Sequence, residues 1–142
     1  MSQEDVAVVR DWVSRWTGRE LVSAATEPGF MDAILEGLHP ELEARFADEL
    51  PDVETYKGRE GARRMFAEWL EPWDEYRQAV LDLVDAGDSV VITYDCHGSG
   101  RGSGADVDME VTHVLAVRDG KIARLREYMT KSEALEAAGL RE

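Results

Sequence analysis

The sequence predicts an α+β domain in which N-terminal helices pack into the concave face of a strongly curved antiparallel sheet. Three observations lead there: apolar residues recur at helical spacing up to Leu70, the period turns strand-like after Asp74, and hairpin signals separate the later strands. The apolar side of such a sheet must be covered, and the helices are the available cover. A curved sheet wrapped around helices leaves a cone with an open end, where a pocket forms.

From Gln3 to about Thr17, the residues Val6, Val9, Trp12, Val13 and Trp16 fall on one helical stripe. A second helix is expected over Phe30 to Leu38, stopping before His39-Pro40 because the residue before proline disfavours the α conformation. Leu42, Ala44 and Phe46 alternate with Glu43 and Arg45, which predicts a short strand with one buried face. Gly58 to Leu70 reads as a third helix with Ala62, Met65, Phe66, Trp69 and Leu70 on one face and Pro72 just beyond it. Strands follow at 75–85, 88–97, 106–118 and 121–129, separated by Ala86-Gly87, by the Gly98–Gly104 run and by Asp119-Gly120. A final helix starts at Thr130, with Glu133 as its capping-box partner, and ends at Gly139. No repeat or linker divides the chain, so residues 1–142 are expected to form one domain.

The 142 residues include 16 Lys plus Arg against 30 Asp plus Glu, a formal charge of −14. That balance disfavours nucleic acid and anionic membrane, both bound mainly through surplus Lys and Arg. No signal-peptide pattern opens the sequence, no apolar run reaches membrane-spanning length, and the lone Cys96 permits no internal disulfide. A soluble, cytoplasmic protein is the expectation.

Several motifs, in order, resemble one family. They are His39-Pro40-Glu41, Tyr56-Lys57-Gly58-Arg59-Glu60-Gly61 before a helix, and Ala86-Gly87-Asp88-Ser89-Val90-Val91 at a strand start. Gly100-Arg101-Gly102-Ser103-Gly104, Val117-Arg118-Asp119-Gly120-Lys121-Ile122 and the ending from Tyr128 to Leu140 continue the pattern. Over residues 36–140 the chain resembles the SnoaL-like family, part of the cone-shaped superfamily of ketosteroid isomerase, scytalone dehydratase, limonene epoxide hydrolase and nuclear transport factor two. The resemblance implies the cystatin-like cone, a small hydrophobic ring compound as ligand, no metal or organic cofactor, and a homodimer through the sheet. Residues 17–30 depart from the family's usual short acidic turn.

The last hairpin decides which polar groups face the pocket. A two-residue Asp119-Gly120 turn would set Val117 against Ile122 and His113 against Arg126. A three-residue loop bulged at Gly120 would set Val117 against Lys121 and His113 against Leu125. The second register sorts Met109, Val111, His113, Leu115 and Val117 with Ala123, Leu125, Glu127 and Met129 on one face, and that clean sorting favours it. His113 and Glu127 are then the polar residues of an apolar face, diagonal neighbours roughly 7–8 Å apart. Burial raises a carboxylate's pKa and lowers a histidine's, moving both toward neutrality where proton transfer is useful. The competing reading is a structural ion pair, or a histidine bonded to backbone. The resemblance adds that limonene epoxide hydrolase has a carboxylate at what looks like the Glu127 position.

On the strand over 88–97, apolar residues favour Val90, Ile92, Tyr94 and Cys96 facing inward, while an alignment to the epoxide hydrolase favours Asp95 as catalytic; His97 shares the face of Asp95. The arginine partner of that enzyme is absent. Trp12, Trp16, Trp69 and Phe66, with Val111, Leu115, Leu125, Met129 and His97, are the candidate substrate-contacting residues; the tryptophans suit core and pocket wall better than a dedicated aromatic box. The glycine-rich loop leads into a strand and not a helix, which argues against a phosphate cradle. No metal spacing and no nucleophile elbow is present. These observations suggest a small-molecule-binding domain, with a cofactor-independent isomerase, cyclase or dehydratase using Glu127, His113 and Asp95 as one form. A non-catalytic ligand-binding or dimerisation module is the alternative.

Overall fold

The computed structural model describes residues 3–51 and 53–140. Helix α1 (Gln3–Ser14) buries Val9, Trp12 and Val13, and Glu4 and Asp5 in its first turn complement the helix dipole. It ends three residues sooner than the stripe suggested, because Arg15 and Trp16 donate to carbonyls three residues back and the chain tightens into a turn. A short helix α2 (Leu21–Ala24) and helix α3 (Phe30–Glu36) follow. The chain then enters β1 (Leu38–Arg45), so His39-Pro40 lies inside a strand, the extended conformation that proline imposes on its predecessor.

Strand β2 (Thr55–Lys57) leads into α4 (Gly58–Leu70), whose bounds match the sequence pattern, and then β3 (Trp73–Asp85), β4 (Val90–Gly100), β5 (Asp106–Arg118) and β6 (Lys121–Tyr128) form the meander. Helix α5 (Lys131–Ala137) ends the described chain, with the Thr130 hydroxyl accepting from Glu133 N at 3.2 Å and donating to the Glu133 carboxylate at 2.9 Å.

The six strands run β2-β1-β6-β5-β4-β3 in one curved, unclosed sheet. The α+β class and the cone are as expected, with one correction: β1 pairs with β6 in parallel, so the sheet is not wholly antiparallel. Helices α1, α3 and α4 fill the concave side, where Val9, Leu38, Leu42, Ala62, Met65 and Leu115 are all but inaccessible. On the opposite face α5 covers Val91 and Val114 with Ala134 and Leu135. Among the described residues no helix is long and apolar enough to cross a membrane.

The β5–β6 hairpin follows neither expected register. Asp119 (φ 55°) and Gly120 (φ 72°) form a two-residue turn that pairs Val117 with Ile122. A bulge at Ala123 then shifts the ladder by one, pairing Leu115 with Leu125 and His113 with Glu127. The extra residue lets Ile122 and Leu125 both reach the core despite their odd spacing. A second bulge, at Leu81, bends β3.

Candidate functional site

The cone encloses an apolar cavity. Trp12 and Trp16 wall it from the α1 segment, Leu21, Phe30, Met31 and Ile34 from the following turns and α3, and Met65, Phe66, Trp69 and Leu70 from α4. The sheet side supplies Phe46, Tyr76, Gln78, His113, Leu125 and Glu127. About 80 Å³ is open to the centre of a water molecule, several times the roughly 10–15 Å³ that admits one water.

His113 and Glu127 meet in the wall, with His113 Nε2 and Glu127 Oε2 3.1 Å apart. The second carboxylate oxygen accepts from Ala47 N–H at 3.3 Å. Glu127 is 4% exposed and His113 8%, so the contact is shielded from bulk water. An ionised carboxylate only accepts, so the imidazole donates from Nε2 when Glu127 is charged. Two of the carboxylate's roughly four acceptor sites remain for a ligand.

Beside the pair, the Tyr94 ring packs edge-on against His113 with centroids 4.8 Å apart, and Trp16 lies 5.4 Å from Tyr94. His113 Nδ1, Tyr94 Oη and Trp16 Nε1 are buried without a hydrogen-bond partner in the described protein. Burial, with Cys96 and Glu127 nearby, pushes the Tyr94 hydroxyl's pKa well up, so it stays protonated. Burial also raises the Cys96 thiol, to about 11, leaving it a core group and not a nucleophile.

Of the residues singled out from sequence, Trp12, Trp16, Phe66, Trp69, His113, Leu125 and Glu127 line one cavity. Val111 and Leu115 lie in the core but not on its wall, and Met129, half-buried past the end of β6, is off it as well. Asp95 and His97 are a correction. The β4 register turns Val90, Ile92, Tyr94 and Cys96 inward, which leaves Asp95 and His97 on the far face. There His97 Nε2 bonds Asp95 at 2.9 Å and Nδ1 bonds Asp108, so both nitrogens are occupied outside the cavity. His113 and Glu127 are directly opposed, not diagonal, because of the bulge at Ala123.

Sequence reading missed Tyr76 and Gln78, which stand two residues apart on the inner face of β3. Their alternation with exposed Glu75 and Arg77 was the available signal. It also missed Glu20, whose carboxylate accepts from Val22 N, Ser23 N and Tyr76 N at 2.8–2.9 Å and fastens the 17–30 segment to β3. Those bonds hold the Glu20 carboxyl below the usual range against the opposing effect of burial, the largest single influence. Among the described residues no group of three or more His, Cys, Asp or Glu is arranged to hold a metal.

The family model of the SnoaL-like domain matches residues 9–125. That span includes residues 17–30. No curated protein matches the chain. Among solved structures, a protein described as a SnoaL-like polyketide cyclase from Jannaschia sp. CCS1 is 20% identical, with 100% of this chain and 98% of that one covered at a TM-score of 0.71. A protein with a ketosteroid isomerase-like fold from Catenulispora acidiphila DSM 44928, solved in complex with trimethylamine, is 20% identical over 94% and 92% of the two chains, TM-score 0.66. TerC co-crystallised with polyporic acid is 20% identical over 96% of this chain and 99% of its own, TM-score 0.66.

Proposed function

Because the chain belongs to the SnoaL-like domain family, we propose that its cavity binds a small apolar ring compound and that Glu127, oriented by His113, moves a proton on it. The observation that carries this reading is a hydrogen-bonded carboxylate–imidazole pair in the wall of an otherwise apolar cavity. Small molecules bound in two structural neighbours, polyporic acid and trimethylamine, support the ligand-binding half of it.

Glu127 takes a proton from a ring carbon next to a carbonyl, and the electron pair passes onto the carbonyl oxygen. His113, hydrogen-bonded to the same carboxylate, steadies its charge before the step and keeps it aimed. Returning the proton at another carbon gives isomerisation; attack of the carbanion on a second carbonyl of the same molecule, whose oxygen then takes the proton back from Glu127, gives cyclisation. A homodimer through the outer sheet face belongs to the same reading, and sedimentation at the single-chain mass would remove it.

Exchange of the α-protons of 2-tetralone in D₂O, followed by proton NMR, tests the chemistry without knowledge of the natural substrate. The protein should accelerate exchange over buffer, and Glu127→Gln should abolish the acceleration while circular dichroism stays unchanged. Equal exchange with the wild type and the variant would sink the proton-transfer role. A second reading, ligand binding without chemistry, draws on the closed His113–Glu127 contact. It predicts that 2-tetralone binds but exchanges no faster than in buffer.

A further inference from the structure

Apart from the carboxylate–imidazole pair and the indole N–H groups, the polar side chains lining the cavity are Tyr76 and Gln78 of β3. Tyr76 Oη donates to Gln78 Oε1 over 2.7 Å. Tyr76 is 1% exposed, and burial, followed by the neighbouring Cys96 thiol, pushes its pKa far up. The hydroxyl therefore keeps its proton near neutral pH.

The phenol gives its proton to the Gln78 amide oxygen. Gln78 has one end that accepts and one that donates, so its oxygen turns to Tyr76 and its NH₂ group turns away. Among the described residues nothing accepts from that NH₂ group. Gln78 is only half-buried and lines the cavity, so the donor is within a ligand's reach. Charge narrows the ligand further: the cavity lining includes the Glu127 carboxylate but no Lys or Arg, and its one histidine, His113, is already engaged by Glu127. A second negative charge brought beside Glu127 in an apolar enclosure would be repelled and left without a counter-ion.

We infer that Gln78, held in orientation by Tyr76, is a second polar anchor of the cavity: it receives an uncharged oxygen of the ring ligand, and the cavity rejects ring acids. Gln78 is the specificity-determining residue and Tyr76 the positioning residue. The inference rests on the cavity being a ring-compound site, and it adds where the ligand's oxygen is held.

The test uses 2-acetylnaphthalene, its hydrocarbon counterpart 2-ethylnaphthalene, and 2-naphthoate at pH 8, each titrated by quenching of tryptophan fluorescence, since Trp12, Trp16 and Trp69 line the cavity. In Gln78→Leu the affinity for the ketone should fall about five- to tenfold, the yield of one hydrogen bond, while that for 2-ethylnaphthalene holds. Tyr76→Phe keeps the ring but frees the amide, and should lower ketone affinity selectively by a smaller factor. Naphthoate should bind more weakly than the ketone. Equal losses for ketone and hydrocarbon, or no loss for either, overturn the Gln78 anchor. An unchanged ketone affinity in Tyr76→Phe overturns the positioning role, and tighter binding of naphthoate than of ketone overturns the charge selection. If neither neutral naphthalene quenches the wild type, the ring-compound reading falls and the inference falls with it.

Discussion

Glu127 and His113 face each other directly across the β5–β6 ladder, with 3.1 Å between Oε2 and Nε2, because Ala123 bulges out of β6. Without that bulge, the Val117–Ile122 pairing at the turn would place Arg126 opposite His113 and turn Glu127 to the outer face. The placement of the site's two titratable groups thus depends on one irregular residue in the hairpin.

Truncating one member of this pair should destabilise the fold more than replacing both. His113→Ala leaves the Glu127 carboxylate buried with the Ala47 N–H as its remaining partner, a loss of about 3–5 kcal/mol. Substituting leucine at both positions removes the uncompensated charge and should cost less. Urea unfolding of the singles and the double, as a cycle, measures the difference.

Glu20 makes the 17–30 segment, and so part of the cavity wall, sensitive to acid. Its carboxyl pKa is lowered in the folded protein, so its contribution is complete above the unfolded value and lost as pH falls through the folded one. Glu20→Ala should destabilise by about 1–2 kcal/mol at pH 7 and progressively less below about pH 4.5. Unfolding of both proteins across pH 3 to 7 checks this; a difference independent of pH would refute it.

His97 behaves in the opposite sense. Hydrogen bonds to Asp108 and then Asp95 raise its pKa above the ordinary histidine value. Its contribution is complete below about pH 6.5 and lost as pH rises through the folded pKa. The stability gap between wild type and His97→Gln should therefore shrink from pH 6 to pH 9. Ligand binding should be unchanged in this variant, since His97 lies outside the cavity.

Gly37→Ala should disturb the cavity through Trp12. A Cβ at residue 37 would overlap Trp12 Cδ1, and the indole is further held by its bond to Ile34 O at 2.9 Å. The expected loss is about 1–3 kcal/mol, with an altered near-ultraviolet circular dichroism spectrum. A spectrum and stability like the wild type's would show that Trp12 has room to move.

What sequence revealed, and what it hid, divides along local and non-local lines. Helix α4 was legible to the residue because its apolar stripe, the Gly58 entry and Pro72 all act within one segment. The inward set of β4 was legible from the count of apolar groups on each face. The bulge at Ala123 was hidden because a bulge reads as a register error until its partner strand is known. The β1–β6 pairing was hidden because parallel neighbours leave no hairpin signal. Glu20 was hidden because two of its bonds are local but the third reaches Tyr76 on a distant strand.

That parallel pairing also has a bearing on biosynthesis. β1 docks on β6, Leu38 against Ile122 and Ala44 against Leu125, so its main partner is made long after it leaves the ribosome. Such distant pairing is slow to form. Until it forms, the sheet that covers the apolar faces of α1, α3 and α4 is incomplete. The same tryptophans that give the finished cavity its grip are, in the nascent chain, exposed surface for chaperones or for aggregation.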